Sequence, residues 1–166
     1  MASKASESDL RFGLRVERVA AELFMRRQWP DRNVRLVDNA KYSSLDYAVV
    51  EDCPDGHTRM VAYIEVKARR TRHDAYPTTI VSLDKHEAGC LVKRFFRIPS
   101  YGLVVFTNSA GYFSLSEPPD RVEYIARMDR DGKGADHGHY SMSRVTLLDG
   151  FREELDALLE RIEAEN

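Results

Sequence analysis

An apolar run that ends in two charges is the feature of this sequence that most constrains its fold. Residues 61–67 read VAYIEVK, and their β-branched and aromatic side chains predict a buried β-strand. Because side chains alternate across a strand, Glu65 and Lys67 point to the same face. A strand that simply frays into a polar loop does not require this arrangement. The pair therefore indicates either an ion pair at the edge of a sheet or part of a functional site.

The surrounding sequence predicts helices and strands in a mixed order. An apolar stripe with helical spacing predicts a helix over residues 9–29, with Ser8 as its N-cap. Ser82 is expected to cap a second helix, and Gly150 precedes a third, amphipathic one. Strands are expected at residues 33–37, 45–50, 60–67, 78–82, 101–108, 112–115 and 122–126. This order predicts the α/β class, with a mixed central β-sheet flanked by helices.

Length and composition fit one domain. The chain has 166 residues, of which 43% are hydrophobic, and this is sufficient for one core. We expect residues 1–8 to form a flexible N-terminal tail and residues 9–166 to form a single domain. The glycine-rich segment 129–139 predicts a mobile surface loop. His137 and His139 are therefore interpreted as loop residues rather than as metal ligands.

Composition also narrows the environment and the partners of the protein. No run approaches eighteen consecutive apolar residues and the N-terminus is polar, so neither a membrane partner nor secretion is expected. Cys53 and Cys90 form neither a zinc spacing nor a disulfide framework, which favours a cytoplasmic location. The net charge is −2, so a nucleic-acid surface must be local. The segment with Arg69, Arg70 and Arg72 is either such a surface or a solvated loop.

A second acidic residue is expected beside Glu65. Asp46 is the lone acid among residues 45–50, and a hairpin with residues 60–67 would place it next to Glu65. Alternatively, Asp46 caps the turn before its strand. Two neighbouring carboxylates repel each other, and Mg²⁺, which prefers carboxylate, water and phosphate oxygens, removes this penalty. With Lys67 to stabilise charge or position a water, and the Val66 carbonyl as a further ligand, the group suits phosphodiester cleavage.

These residues resemble the motif of the PD-(D/E)xK nuclease superfamily, which includes restriction-endonuclease-like and Holliday-junction-resolvase-like members. The motif residues are Asp46 on one strand and Glu65-Val66-Lys67 on the next. Leu45 stands at the position where the motif has proline.

Two further elements extend the resemblance over roughly residues 10–110. Many members supply a glutamate from an upstream helix as G-x-x-x-E, which Gly13 and Glu17 match. A further polar residue often comes from the helix after the core strands, and Lys85 is similar to that residue.

The resemblance implies a Mg²⁺-dependent deoxyribonuclease with a restriction-endonuclease-like core, in which Mn²⁺ would substitute for Mg²⁺. The catalytic and metal-binding residues that it implies are Asp46, Glu65, Val66, Lys67 and Glu17. The residues that it implies for contact with the DNA backbone are Lys85, Arg69, Arg70 and Arg72. The small size favours structure- or end-directed cleavage in DNA repair, recombination or phage DNA processing. The resemblance implies a homodimer, and the expected location is the cytoplasm, which for a viral protein is that of its host. The alternative is a catalytically inactive nuclease-fold subunit that binds DNA or supports assembly.

Overall fold

The computed structural model describes residues 7–39, 43–126 and 134–165, with side chains from residue 15 onward. The helices in these parts are α1 (Glu7–Gln28), α2 (Leu83–Phe96) and α3 (Phe151–Ala164). The strands are β1 (Val34–Asp38), β2 (Tyr47–Asp52), β3 (Thr58–Ala68), β4 (Thr78–Ser82), β5 (Ser100–Val105), β6 (Ala110–Ser114), β7 (Arg121–Ile125), β8 (Ala135–Ser141) and β9 (Thr146–Leu147). Within the described ranges, no helix has the length and apolar character needed to cross a membrane.

A six-stranded mixed sheet forms the centre of the fold, in the order β1-β2-β3-β5-β6-β9. Strands β3 and β5 run parallel, and the other neighbouring pairs of this sheet are antiparallel. A second sheet contains three antiparallel strands in the order β4-β8-β7. The predicted class, a mixed central sheet with flanking helices, is therefore confirmed.

Strand β3 is buried on both of its faces. Ile64 and Val66 are fully buried in a core that they share with residues of α1 and α3. Tyr63 packs against a second apolar cluster, which includes residues of α2 and of the three-stranded sheet. Each large aliphatic side chain buried in this way contributes roughly 1.5–3 kcal/mol to stability. A carboxylate on this strand is consequently carried into apolar surroundings.

Helix α1 buries the face that its sequence predicts. Val16, Ala20 and Leu23 belong to the core, and the helix ends just before Trp29 and Pro30. Its start differs from the prediction, because the helix begins at Glu7 and Ser8 lies inside it. The expectation that Ser8 caps the helix was therefore wrong. Residues 1–6 of the predicted tail lie outside the described residues.

The segment expected to be a mobile loop is in part a buried strand. Strand β8 lies between β4 and β7, and His137 and His139 on it are only 3% and 6% exposed. A Cβ added at Gly138 would lie 2.9 Å from the Pro119 side chain, so this glycine permits close packing rather than flexibility. The assignment of both histidines to a surface loop was thus wrong. Residues 129–133 of that segment lie outside the described residues.

Candidate active site

Glu65 is the central residue of the candidate site. It lies on β3, where this strand pairs in parallel with β5, and its side chain is fully buried. Its Oε1 lies 2.6 Å from Lys67 Nζ, and its Oε2 lies 3.1 Å from Lys85 Nζ. Both contacts are ion pairs, and no further hydrogen-bond partner of the Glu65 oxygens lies among the described residues. Burial raises the pKa of Glu65, and the two ammonium groups only partly oppose this effect.

Asp46 approaches β3 from the bend that leads into β2. The prediction placed Asp46 within that strand, but β2 begins one residue later, at Tyr47, which pairs with Ile64. Asp46 Oδ2 accepts a hydrogen bond of 3.0 Å from the backbone N–H of Val66. The hairpin therefore brings Asp46 to the side of Glu65, as expected. It does so through a bend residue that bonds to the neighbouring strand.

Glu17 brings a third carboxylate to the same end of the sheet. Its side chain is half-buried on α1. Burial raises the pKa of Glu17 to about 7, and the nearby charge of Lys67 lowers it. The negative charges of Asp46 and Glu65 raise this pKa further, and a hydrogen bond from the Ala68 backbone lowers it. Because these groups all act on one carboxyl, Glu17 lies near Asp46, Glu65 and Lys67.

The arrangement of carboxylates fits a hard divalent cation. Its donors are carboxylate oxygens, and the buried Glu65 oxygens have no hydrogen-bond partner beyond the two lysines within the described part of the chain. In the same part, no three His, Cys, Asp or Glu side chains form a group that could hold a metal ion, so an ion at this site would need ligands beyond the protein's side chains. Mg²⁺-like ions bind in such open sites, since they take one or two protein carboxylates and complete their shell with water and phosphate oxygens. The site therefore fits an open, substrate-completed metal site better than a structural one.

Lys85 lies in the carboxylate cluster rather than on an outer surface. It belongs to the first turn of α2, and its side chain is only 15% exposed where it meets Glu65. A lysine near a helix N-terminus is opposed by the helix dipole, so Glu65 accounts for this position better than helix preference does. This contact could not be predicted from local sequence, because it arises from the tertiary packing that brings α2 to Glu65.

The three arginines that follow β3 have different environments. Arg69 donates a hydrogen bond to the carbonyl of Ile80 and so ties the end of β3 to β4. Arg70 is exposed. Arg72 forms an exposed ion pair with Asp74, with Nε 3.0 Å from Oδ1. Arg69 therefore stabilises the fold, whereas Arg70 and Arg72 face solvent.

Fold and site together define a class of protein, the metal-dependent nucleases of the PD-(D/E)xK type. The defining features are a mixed sheet, a buried E-x-K strand and an aspartate held beside it. A family model described as "Phage putative PDDEXK endonuclease" matches residues 15–147. The chain belongs to this family of PDDEXK endonucleases, and the resemblance predicted from the sequence is confirmed.

One of the solved structures similar to this chain is that of Archaeoglobus fulgidus Hjc, a Holliday junction resolvase from an archaeal hyperthermophile. The two share 15% sequence identity with a TM-score of 0.47, over 85% of this chain and 95% of that chain. This likeness is too remote to support an argument about activity. No curated protein matches the sequence.

Proposed function

We propose that this endonuclease is a Mg²⁺-dependent deoxyribonuclease that acts in a structure- or end-directed way on DNA in repair, recombination or phage DNA processing. The observation that carries the proposal is the fully buried Glu65 carboxylate, which lies between two ammonium groups and beside Asp46. Desolvation of a buried carboxylate destabilises a fold, and the two ammonium groups compensate for only part of this effect at Glu65. A metal ion together with a substrate phosphate would supply the remaining compensation. Residues 9–166 would form the single nuclease domain.

Asp46 and Glu65 are the proposed protein ligands of Mg²⁺, with the Val66 carbonyl as a further ligand. Glu17 would assist them directly or through a water molecule. A Mg²⁺ ion held by these residues would lower the pKa of a coordinated water and stabilise the charge that develops on the phosphate. The Asp46 bond to the Val66 N–H orients this carboxylate before the ion arrives.

Lys67 is proposed to position the attacking water and to stabilise the developing negative charge. Its ammonium lies 2.6 Å from Glu65 Oε1, and its side chain is 33% exposed, so it can reach both the carboxylates and solvent. Lys85, held on the other Glu65 oxygen, would face the same phosphate group. Both lysines would thus act where charge accumulates in the transition state.

The DNA backbone would be held outside this cluster. Arg70 and Arg72 face solvent and suit phosphate contacts that do not depend on sequence, whereas Arg69 shapes the segment that presents them. A homodimer would place two such sites on two strands of one substrate.

The test is cleavage of labelled linear duplex, single strand, flap and four-way junction, each with Mg²⁺, with Mn²⁺ and with chelator. Glu65→Gln and Lys67→Met should each slow metal-dependent cleavage by at least about a hundredfold. The matched controls are Glu117→Gln and Lys93→Met, which alter an exposed ion pair with an Oε1–Nζ distance of 3.2 Å. These controls should cleave like the wild type.

Two results would contradict the proposal. If Glu65→Gln cleaved DNA as fast as its control, the site assignment would be wrong. If the wild type bound DNA but cut no substrate with either metal, the alternative of an inactive DNA-binding or assembly subunit would replace the deoxyribonuclease.

A further inference from the structure

A cavity of about 440 Å³ lies along the segment that follows β3. Its lining comes from the segment after β3, from β4 and from the three-stranded sheet, and it includes Arg69, Tyr76, Thr78, Phe106 and His139. Arg69 follows Lys67 by two residues, and two residues of extended chain span about 7 Å. One wall of the cavity therefore begins about 7 Å along the chain from Lys67.

The walls of this cavity are fixed by hydrogen bonds. The backbone N–H of Thr107 donates to the carbonyl of Thr71 at 3.0 Å. Asn108 bonds to His73 twice, through its Oδ1 to the backbone N–H and through its Nδ2 to the ring Nδ1, each at 3.0 Å. The Arg69 guanidinium bonds across to the Ile80 carbonyl on the opposite wall. The cavity is thus preformed, as ligand sites usually are.

The chemistry of the lining suits a flat, polar-edged ring. Tyr76 is 63% exposed at the mouth, and the rings of His73 and Phe106 pack edge to face with centroids 6.4 Å apart. Inside, Thr78 Oγ1 lies 3.1 Å from His139 Nδ1. The other ring nitrogen of this buried histidine makes no hydrogen bond among the described residues, although a Glu123 oxygen lies 2.8 Å away. Aromatic faces with buried polar atoms are the groups with which proteins bind unpaired bases.

We infer that this cavity binds the base of an unpaired nucleotide of the DNA substrate, stacked on Tyr76, next to the scissile phosphate. A base inside a duplex is paired and stacked and must leave the helix to enter a concave site. The cavity would therefore direct the nuclease to DNA with single-stranded character, such as overhangs, flaps and junctions. The inference rests on the proposed deoxyribonuclease function and deepens it.

The rim can hold the backbone of the same nucleotide. Arg72 and Arg121 both line the cavity, and their guanidinium groups are 62% and 59% exposed. Each pairs with an exposed carboxylate two residues away, that of Asp74 or Glu123. Exposed ion pairs of this kind contribute little to stability. Exchange of the carboxylate for a DNA phosphate therefore costs little free energy.

The experiment compares the affinities for a duplex with a single-stranded overhang and for a blunt duplex, measured by fluorescence anisotropy in chelator. Tyr76→Ala should lower the ratio of overhang affinity to blunt affinity by at least about fivefold, which is the lower limit for one base stacked on an aromatic ring. Tyr76→Phe keeps the ring and should keep the ratio. Tyr124→Ala is the matched control, because Tyr124 is 65% exposed on β7 and does not line the cavity.

A ratio that is unchanged in Tyr76→Ala, or that falls equally in Tyr124→Ala, would overturn the inference. The proposed function would still stand if the wild type cut DNA with Mg²⁺. A different pair of results would contradict the proposed function alone. In that case no DNA is cut with Mg²⁺, but the ratio of overhang affinity to blunt affinity still falls in Tyr76→Ala.

Discussion

Replacing Glu17 by glutamine should stabilise the metal-free protein above about pH 4.5, and the gain should reach its full size above about pH 7. Burial raises the pKa of Glu17 from its ordinary value of 4.5 to about 7. Between these two values the folded protein holds a proton that the unfolded chain has lost. The stability that this proton contributes is fully present below pH 4.5 and is lost as the pH rises through 7. Glutamine has no proton to lose, so the variant keeps its stability.

The size of the effect follows from the two pKa values. Their difference corresponds to about 3 kcal/mol of unfolding free energy for a group that is fully shielded from solvent. The Glu17 side chain is only half-buried, and solvent screening reduces this figure to about 2 kcal/mol. At pH 8 the Glu17→Gln variant should be more stable than the wild type by that amount, and at pH 4.5 the two should be equal.

The assay is urea unfolding in chelator at pH 4.5 and pH 8, followed by the fluorescence of Trp29, the single tryptophan of the chain. The control is Glu22→Gln on the same helix, where Glu22 pairs with Arg18 at 3.2 Å near the surface. This control should show no comparable gain at pH 8. Saturating Mg²⁺ should then stabilise the wild type more than Glu17→Gln, since only the wild type has the full set of carboxylates. A Glu17→Gln protein that is less stable at pH 8, or whose advantage does not change with pH, would refute the reasoning.

Three other substitutions test the site and the sheet. Glu65→Gln should abolish the rise in melting temperature on adding Mg²⁺, because it removes a proposed ligand of the ion; a variant that still gains stability from Mg²⁺ would contradict this. Arg70→Ala should reduce the slope of log affinity against log salt by about 0.9 in DNA titrations, and an unchanged slope would show that Arg70 contacts no phosphate. Gly102→Ala should lower the unfolding free energy by about 1–3 kcal/mol, because the added Cβ would lie 2.5 Å from Cζ of Phe113, and a loss within about 0.5 kcal/mol would show that the ring moves freely.

Local patterns in the sequence were sufficient to find most of the elements. Strand β4 and helix α2 lie where turn chemistry and apolar spacing predicted them, because their own residues decide their form. The E-x-K strand was recognisable for the same reason. Buried strands with charged ends are rare enough for residues 61–67 to stand out.

Contacts between distant elements could not be predicted in the same way. The pairing of β2 with β3 shifts register between Val49 and Val50, and such a bulge leaves no clear mark in an apolar run. Strand β8 was missed because Gly134 and Gly138 suggested a turn, whereas Gly138 serves close packing within a sheet. The contact between Lys85 and Glu65 depends on the six-stranded sheet, on the three-stranded sheet and on helix α2, which follows β4.

The connection from β3 to β5 contributes to both the carboxylate cluster and the cavity. Within the described sheets, β3 and β5 form the one parallel pair, so the chain must cross over between them. That crossover contains β4, which lines the cavity, and α2, which carries Lys85 to Glu65. Helix α2 can approach closely because Gly89 faces Ser100, where an added Cβ would lie 2.7 Å from the serine Oγ. A single crossover therefore sets both the charge around Glu65 and the shape of the neighbouring cavity. Cleavage chemistry and substrate choice would then depend on the same packing of α2.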